Sequence, residues 1–181
     1  MSNAAWFKRP DMLVGISALV VSFVAVVVSL YSASIDRDYA RASVWPQLMV
    51  ARSYAPQVGK SQLDYLVINN GTGPAIVKYV QVGYDDTYYP TWRALFDSMG
   101  LDDVGFVQSQ ISRMVIPADK QITVLSFTNP KTIEQLSGFD NGLDFTLCYC
   151  SIYEECWQVN RQAKQRSVDA CIEPSGVLFT Q

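Results

Sequence analysis

The sequence predicts a mainly β chain: an Ig-like antiparallel β-sandwich with one or two short helices, preceded by a single N-terminal transmembrane helix. Three observations lead there. Residues 12–35 carry no charge between Asp11 and Asp36. From residue 47 the apolar pattern has a period of two, broken by dense turn signals. All four cysteines, Cys148, Cys150, Cys156 and Cys171, fall in the last quarter of the 181 residues.

The uncharged stretch comes first. As a helix it would be roughly 36 Å long at 1.5 Å per residue, enough to cross a hydrocarbon core of about 30 Å with some tilt. Its many valines make a poor helix in water, but in lipid the backbone must satisfy its hydrogen bonds internally. Leu, Ile, Phe and Val at twelve positions between Leu13 and Leu30 favour insertion by very roughly 4–7 kcal/mol. Small residues recur at Gly15, Ala18, Ser22, Ala25, Ser29 and Ser32, spaced 3, 4, 3, 4 and 3 apart. That spacing marks one face of a helix packed in a left-handed coil. In lipid, close backbone approach and serine hydrogen bonds favour association where hydrophobicity cannot. The expected partner of this face is a second copy or another membrane protein.

A cleaved signal peptide competes with the anchor reading: Lys8 and Arg9 form a basic leader and Ser32-Ala33-Ser34 a small-residue cleavage site. The apolar run is long for that role. The charges around the span orient it weakly, with Lys8 and Arg9 before it and Arg37 and Arg41 after it. The short leading tail and the cysteine-bearing domain place the N-terminus in the cytoplasm and the domain outside, which in a Gram-negative bacterium is the periplasm beyond the inner membrane. Trp6, Phe7 and Tyr31 suit the two membrane interfaces. The expected organisation is a tail over 1–11, a transmembrane helix over 12–35, a helical stalk over 36–46 stopped by Trp45-Pro46, and an extracytoplasmic domain over 47–181.

Within that domain, strands are expected at 47–53, 62–69 and 75–84. On the second, Leu63, Tyr65 and Val67 share one face and Leu66 and Ile68 the other. The run Asn69-Asn70-Gly71-Thr72-Gly73-Pro74 is a turn. A helix is expected over 90–99, with Thr91 as N-cap and Gly100 as its stop. Strands follow at 104–111, 113–116 and 121–127, then a short helix over 131–136 after Asn129-Pro130. Asn141-Gly142 leads into a hairpin of 143–151 and 156–159. Residues 160–171 are polar and ambiguous, and 177–180 forms an edge strand. The stretch Leu66–Val77 with Val115-Ile116-Pro117-Ala118 resembles a pattern of bacterial exported β-sandwich domains, a resemblance that implies no activity.

Cys148 and Cys150 point to one face of a strand and do not suit a mutual bond. A loop centred on Tyr153 sets Cys150 opposite Cys156 and leaves Cys148 for Cys171. This is the preferred one of three pairings; a reactive Cys-x-Cys pair and a four-cysteine zinc site are the alternatives.

Other chemistry is sparse. The chain has no histidine, which excludes Ser–His and Cys–His nucleophile pairs and histidine metal ligands. It has no Walker loop, dinucleotide fingerprint, His-Glu-x-x-His or EF-hand pattern. Lys60-Ser61 has no context of a lysine-activated hydrolase. Asp85-Asp86 and Asp102-Asp103 are turn residues, with calcium the competing reading. Asn70-Gly71-Thr72 matches a glycosylation acceptor but sits in a turn. Beyond residue 11 there are 12 basic and 16 acidic residues, a net charge of −4, which disfavours nucleic acid. The aromatics Tyr84, Tyr88, Tyr89 and Trp92, with Phe96, are the candidate recognition surface, although Trp92 and Phe96 at i, i+4 also suit the core.

The expectation is a non-enzymatic, cofactor-free, single-pass envelope protein whose domain binds or scaffolds protein partners. A ligand- or carbohydrate-sensing domain and a thiol–disulfide redox protein are the alternatives.

Overall fold

A computed structural model describes residues 10–56, 61–101, 103–139 and 142–181. The expectations for Trp6, Phe7, Lys8, Arg9, Lys60, Asp102 and Asn141 lie outside the described residues.

The chain divides into two compact units, residues 1–42 and 43–181. Helix α1, Pro10–Ser43, runs 34 residues without interruption, all but the last of them in the first unit. It is long and apolar enough to cross a membrane, and none of its side chains is buried. Pro10 suits a first helical position, and Asp11 and Arg41 complement the helix dipole at its two ends. The helix stops at Ser43 rather than at 46. The next residue packs within the second unit: an added Cβ on Gly73 would fall 1.9 Å from the Val44 carbonyl oxygen.

That unit is mainly β. Its first sheet holds β1 (Leu48–Ala55), β2 (Gln62–Asn69), β7 (Lys120–Phe127) and β5 (Val107–Gln108), in that order. Its second holds β10 (Gln165–Val168), β9 (Cys156–Asn160), β8 (Leu143–Cys150), β3 (Ala75–Tyr84) and β4 (Thr87–Tyr89), with β6 (Val115–Ile116) also on β3. Every pairing is antiparallel. Two short helices, α2 (Trp92–Ser98) and α3 (Pro130–Phe139), complete the unit.

Alternation builds the core. On β2, Leu63, Tyr65 and Val67 are buried while Leu66 and Ile68 are half-buried. They join Val77, Val80 and Val82 of β3 and Phe145, Leu147 and Tyr149 of β8 in one hydrophobic cluster drawn from both sheets. α2 adds Trp92, Leu95 and Phe96. Thr91 caps that helix, its hydroxyl accepting the Ala94 N–H at 3.1 Å, and Gly100 leaves it with φ of 71°.

Several elements differ from the pattern-based reading. The strand expected over 104–111 is reduced to Val107–Gln108, because Val104 and Ile111 turn into the core on either side of it. The strand expected over 113–116 begins at Val115, because Arg113 adopts a left-handed φ of 55° that breaks an extended run. Residues 177–180 form no strand. Phe179 donates one backbone bond to the Val80 carbonyl at 3.3 Å, and its ring stands edge-on to Trp92 at 4.9 Å. Two short strands were hidden: β4 by its length of three residues, and β10 by its polarity.

The free edge of β3 is closed in pieces. β6 covers Ala75 and Ile76, the Met114 carbonyl takes the Val77 N–H, the Phe179 N–H meets Val80, and β4 pairs with Val82–Tyr84. Such coverage removes a template for strand addition.

Candidate functional site

The end of the sheet domain where residues 44–47 enter is built around Asn69. This side chain is fully buried and uses all its hydrogen-bonding capacity. Its Oδ1 accepts from Gln47 N at 3.1 Å and Gly71 N at 3.0 Å. Its Nδ2 contacts the carbonyls of Gly73, Ile116 and Pro117 at 2.9, 3.1 and 3.1 Å. The two stretches 66–77 and 115–118 are thereby joined through one amide. Composition gives no sign of this role, since Asn69 reads as an ordinary turn residue.

Residues 44–47 are held from several directions. Asn70 N donates to the Gln47 carbonyl at 2.8 Å, and Gly73 N to the Trp45 carbonyl at 3.2 Å. A Cβ on Gly71 would lie 2.3 Å from the Trp45 carbonyl oxygen, so only glycine permits the approach. Trp45 leans on Trp157 with ring centroids 4.7 Å apart. Tyr149 is fully buried, and burial pushes its phenol up to about 12, although the Leu48 N–H that it accepts opposes the shift.

Exposed apolar side chains concentrate at this end. Among the nine exposed large apolar residues of the described sheet domain, Trp45, Val115, Ile152, Tyr153 and Ile172 lie here. Ile152 and Tyr153 form the tip of the β8–β9 hairpin, where Ser151 Oγ accepts the Tyr153 and Glu155 N–H groups at 3.1 and 3.3 Å. Val115 pairs with Ile76, which pairs with Cys150. A rigid, hydrogen-bonded hairpin that displays an isoleucine and a tyrosine to solvent is a surface suited to a protein contact.

The cysteines flank this hairpin. Cys150 lies opposite Cys156 across the β8–β9 ladder, bonded at 2.10 Å, and Cys148 is bonded to Cys171 at 2.05 Å. Cys150, Cys156 and Cys171 form the one group of three possible metal ligands within 4.8 Å among the described residues. Their sulfurs are in disulfides, so the zinc alternative has no thiolates to draw on. Cys148 and Cys150 are not bonded to each other.

The aromatic surface expected around α2 is largely core. Trp92 is 2% exposed and stacks against Phe96 and Phe145. It is corrected from recognition residue to core residue because the i, i+4 face of α2 packs inward. Tyr84 and Tyr89 are half-buried, with Tyr84 edge-on to Phe139 at 5.8 Å. Tyr88 alone of the four is exposed; partial burial, then the nearby Asp144 and Asp86 carboxylates, raise its phenol above the ordinary range. Asp85 and Asp86, with φ of 46° and 63°, form the two-residue turn between β3 and β4. They serve that turn and lie in no described cluster of three ligands.

On α1, Gly15, Ala18, Ser22, Ala25, Ser29 and Ser32 are exposed along the helix. Ser22 Oγ donates to the Ala18 carbonyl and Ser29 Oγ to the Ala25 carbonyl, both at 2.8 Å. Those hydroxyl protons are satisfied inside their own helix.

No protein-family model matches the chain. No curated protein and no solved structure matches it either.

Proposed function

We propose that this chain is a single-pass inner-membrane protein whose sheet domain lies outside the cytoplasm and acts as a protein-interaction or scaffolding module. In this reading α1 crosses the bilayer, with the cytoplasmic tail before residue 12, and associates through the Gly15–Ser32 face with a second copy or another membrane protein. The carrying observation is the concentration of exposed apolar side chains, Ile152 and Tyr153 foremost, at the end of the domain that receives residues 44–47. The disulfides support an exported domain, since such bonds persist in oxidising compartments.

We read the domain as an Ig-like sandwich. The order β1-β2-β7-β5 corresponds to the strands A-B-E-D of that fold, and β4-β3-β8-β9 to C′-C-F-G. The disulfides depart from the Ig pattern: they tie β8 to β9 and to the following segment rather than joining the two sheets. Such sandwiches present loops at their two ends, and the β8–β9 loop is one of them.

The test has two parts. Intact mass from purified membranes, with alkylation before and after reduction, should give an uncleaved chain whose four thiols appear only after reduction. A chain lacking its first 34 residues would overturn the anchor. The proteins cross-linked to the full-length chain in its own membrane should then change when Ile152 and Tyr153 become aspartate. An unchanged set would overturn the hairpin as the contact surface.

A further inference from the structure

The four cysteines are closer to one another than two independent staples require. Cys148 and Cys150 stand two residues apart on one face of β8, and Cys171 lies over both. Its sulfur is bonded to Cys148 yet only 3.7 Å from the sulfur of Cys150. Cys148, Cys150 and Cys156 are buried, while Cys171 is half-buried. A cavity of about 270 Å³ opens over Cys150, Cys156 and Cys171, and its rim carries Lys78, Glu154 and Asp169. A second concavity of about 490 Å³ reaches Cys171 from the side of Arg113.

We propose that these two disulfides form a single exchange-competent sulfur cluster, which an external dithiol attacks at Cys171 and in which Cys171 transfers from Cys148 to Cys150. Exchange proceeds by attack of a thiolate on a disulfide sulfur, so access and proximity select the route. Cys171 is the least buried of the four cysteines. The dithiol's first thiolate bonds to Cys171 and breaks the Cys148–Cys171 bond; Cys148 leaves as a thiolate and takes a proton. The dithiol's second thiolate attacks its own mixed disulfide, closing the oxidised dithiol and releasing Cys171 as a thiolate. Cys171 then bonds to Cys150, the Cys150–Cys156 bond breaks, and Cys156 leaves and takes a proton. The dithiol has lost two electrons, and the chain holds one new disulfide and two thiols.

The surroundings permit the transfer. Two cations, Lys78 and Arg113, and three carboxylates, Glu154, Asp169 and Glu173, line the two openings beside Cys171. The segment around Cys171 is in no sheet, and its Glu173–Arg113 ion pair, 2.8 Å long, is solvent-exposed. Such a pair holds a segment weakly. The β8 sulfurs stay fixed in their ladder while Cys171 moves between them.

The full-length protein is treated under native conditions with dithiothreitol at one equivalent per chain, quenched in acid, alkylated and mapped by fragmentation mass spectrometry. The expected two-thiol species carries label on Cys148 and Cys156 and retains a Cys150–Cys171 bond. Two-thiol chains that retain only Cys148–Cys171 or only Cys150–Cys156 overturn the proposal. A second measurement uses Cys156→Ser, in which the Cys150 thiol faces the remaining disulfide without added reductant. Cys171 should then partition between Cys148 and Cys150, with at least a tenth of chains in each form. Exclusive Cys148–Cys171 linkage would again overturn it, and the wild-type experiment stands if this variant does not fold.

Discussion

The phenol oxygen of Tyr149 accepts the backbone N–H of Leu48 at 3.2 Å, across 101 residues of sequence. One bond thus ties the first strand of one sheet to the inner face of the other. Tyr149→Phe keeps the ring but leaves that buried N–H without its acceptor, so the expected cost is about 1–2 kcal/mol by denaturant unfolding. The phenol also sets a pH dependence. Its folded pKa of about 12 exceeds the ordinary 10.0. Its contribution is therefore full below pH 10 and lost as pH rises towards 12. The phenylalanine variant should lack that part of the alkaline slope; an identical slope would exclude Tyr149 as its source.

Asn69→Ala removes five contacts at once and strands the Gln47 and Gly71 N–H groups. The expected loss is roughly 3 kcal/mol or more. Asn69→Asp should be little better, because a carboxylate supplies no donor to three carbonyls. Thermal melts of both variants check this, and a shift within error for the aspartate would contradict the donor role.

The two disulfides should differ in worth. Cys148–Cys171 spans 23 residues and Cys150–Cys156 spans 6. Loop-closure entropy puts removal of the first at about 3 kcal/mol and of the second at about 2. Paired serine variants compared in the same denaturant series test the order.

The extent to which the chain was readable follows from which forces are local. β2 and β3 were legible to the residue, since alternation and the Asn-Gly-rich turn between them are local signals. The cap at Thr91 was legible for the same reason. The hairpin register that sets Cys150 against Cys156 follows from loop length, and the structure holds that register. Asn69 was not legible, because its partners at Ile116 and Pro117 lie 47 and 48 residues away. The truncated β5 and the irregular backbone at Phe179 share this cause: a side chain drawn into the core decides the backbone path, and no alternation records it. Trp92 was ambiguous because the residue types of a recognition surface are also those of a core.

Trp92 gives a prediction of its own. Its indole N–H is buried without a hydrogen-bond partner among the described residues. Trp92→Phe removes that unmet donor along with some volume, so the two effects oppose and the expected cost is about 1–2 kcal/mol. Trp92→Ala leaves only the cavity and should cost about 3–5 kcal/mol. Both variants remove the indole N–H, so their difference reads the lost ring volume, and equal losses would mean that the site collapses around the smaller side chain.

On α1, the satisfied serine hydroxyls separate shape from hydrogen bonding. Ser22→Ala with Ser29→Ala should leave self-association in lipid vesicles within about twofold, because neither proton is available to a neighbour. Ala18, Ser22 and Ala25 changed together to leucine should abolish it. Energy transfer between labelled full-length chains reads both, and association that survives the leucines would remove the stripe from the account.

The grip on residues 44–48 also has a sequence in time. Its nearer half, the loop from Asn69 to Gly73, leaves the ribosome soon after the segment it holds. Its farther half, Tyr149 and Trp157, is made about a hundred residues later. Chains are synthesised at about 5–20 residues per second, so an interval on the order of ten seconds separates the two. Through that interval the first strand has β2 paired along its whole length, and the nascent sheet waits for its contacts with the second.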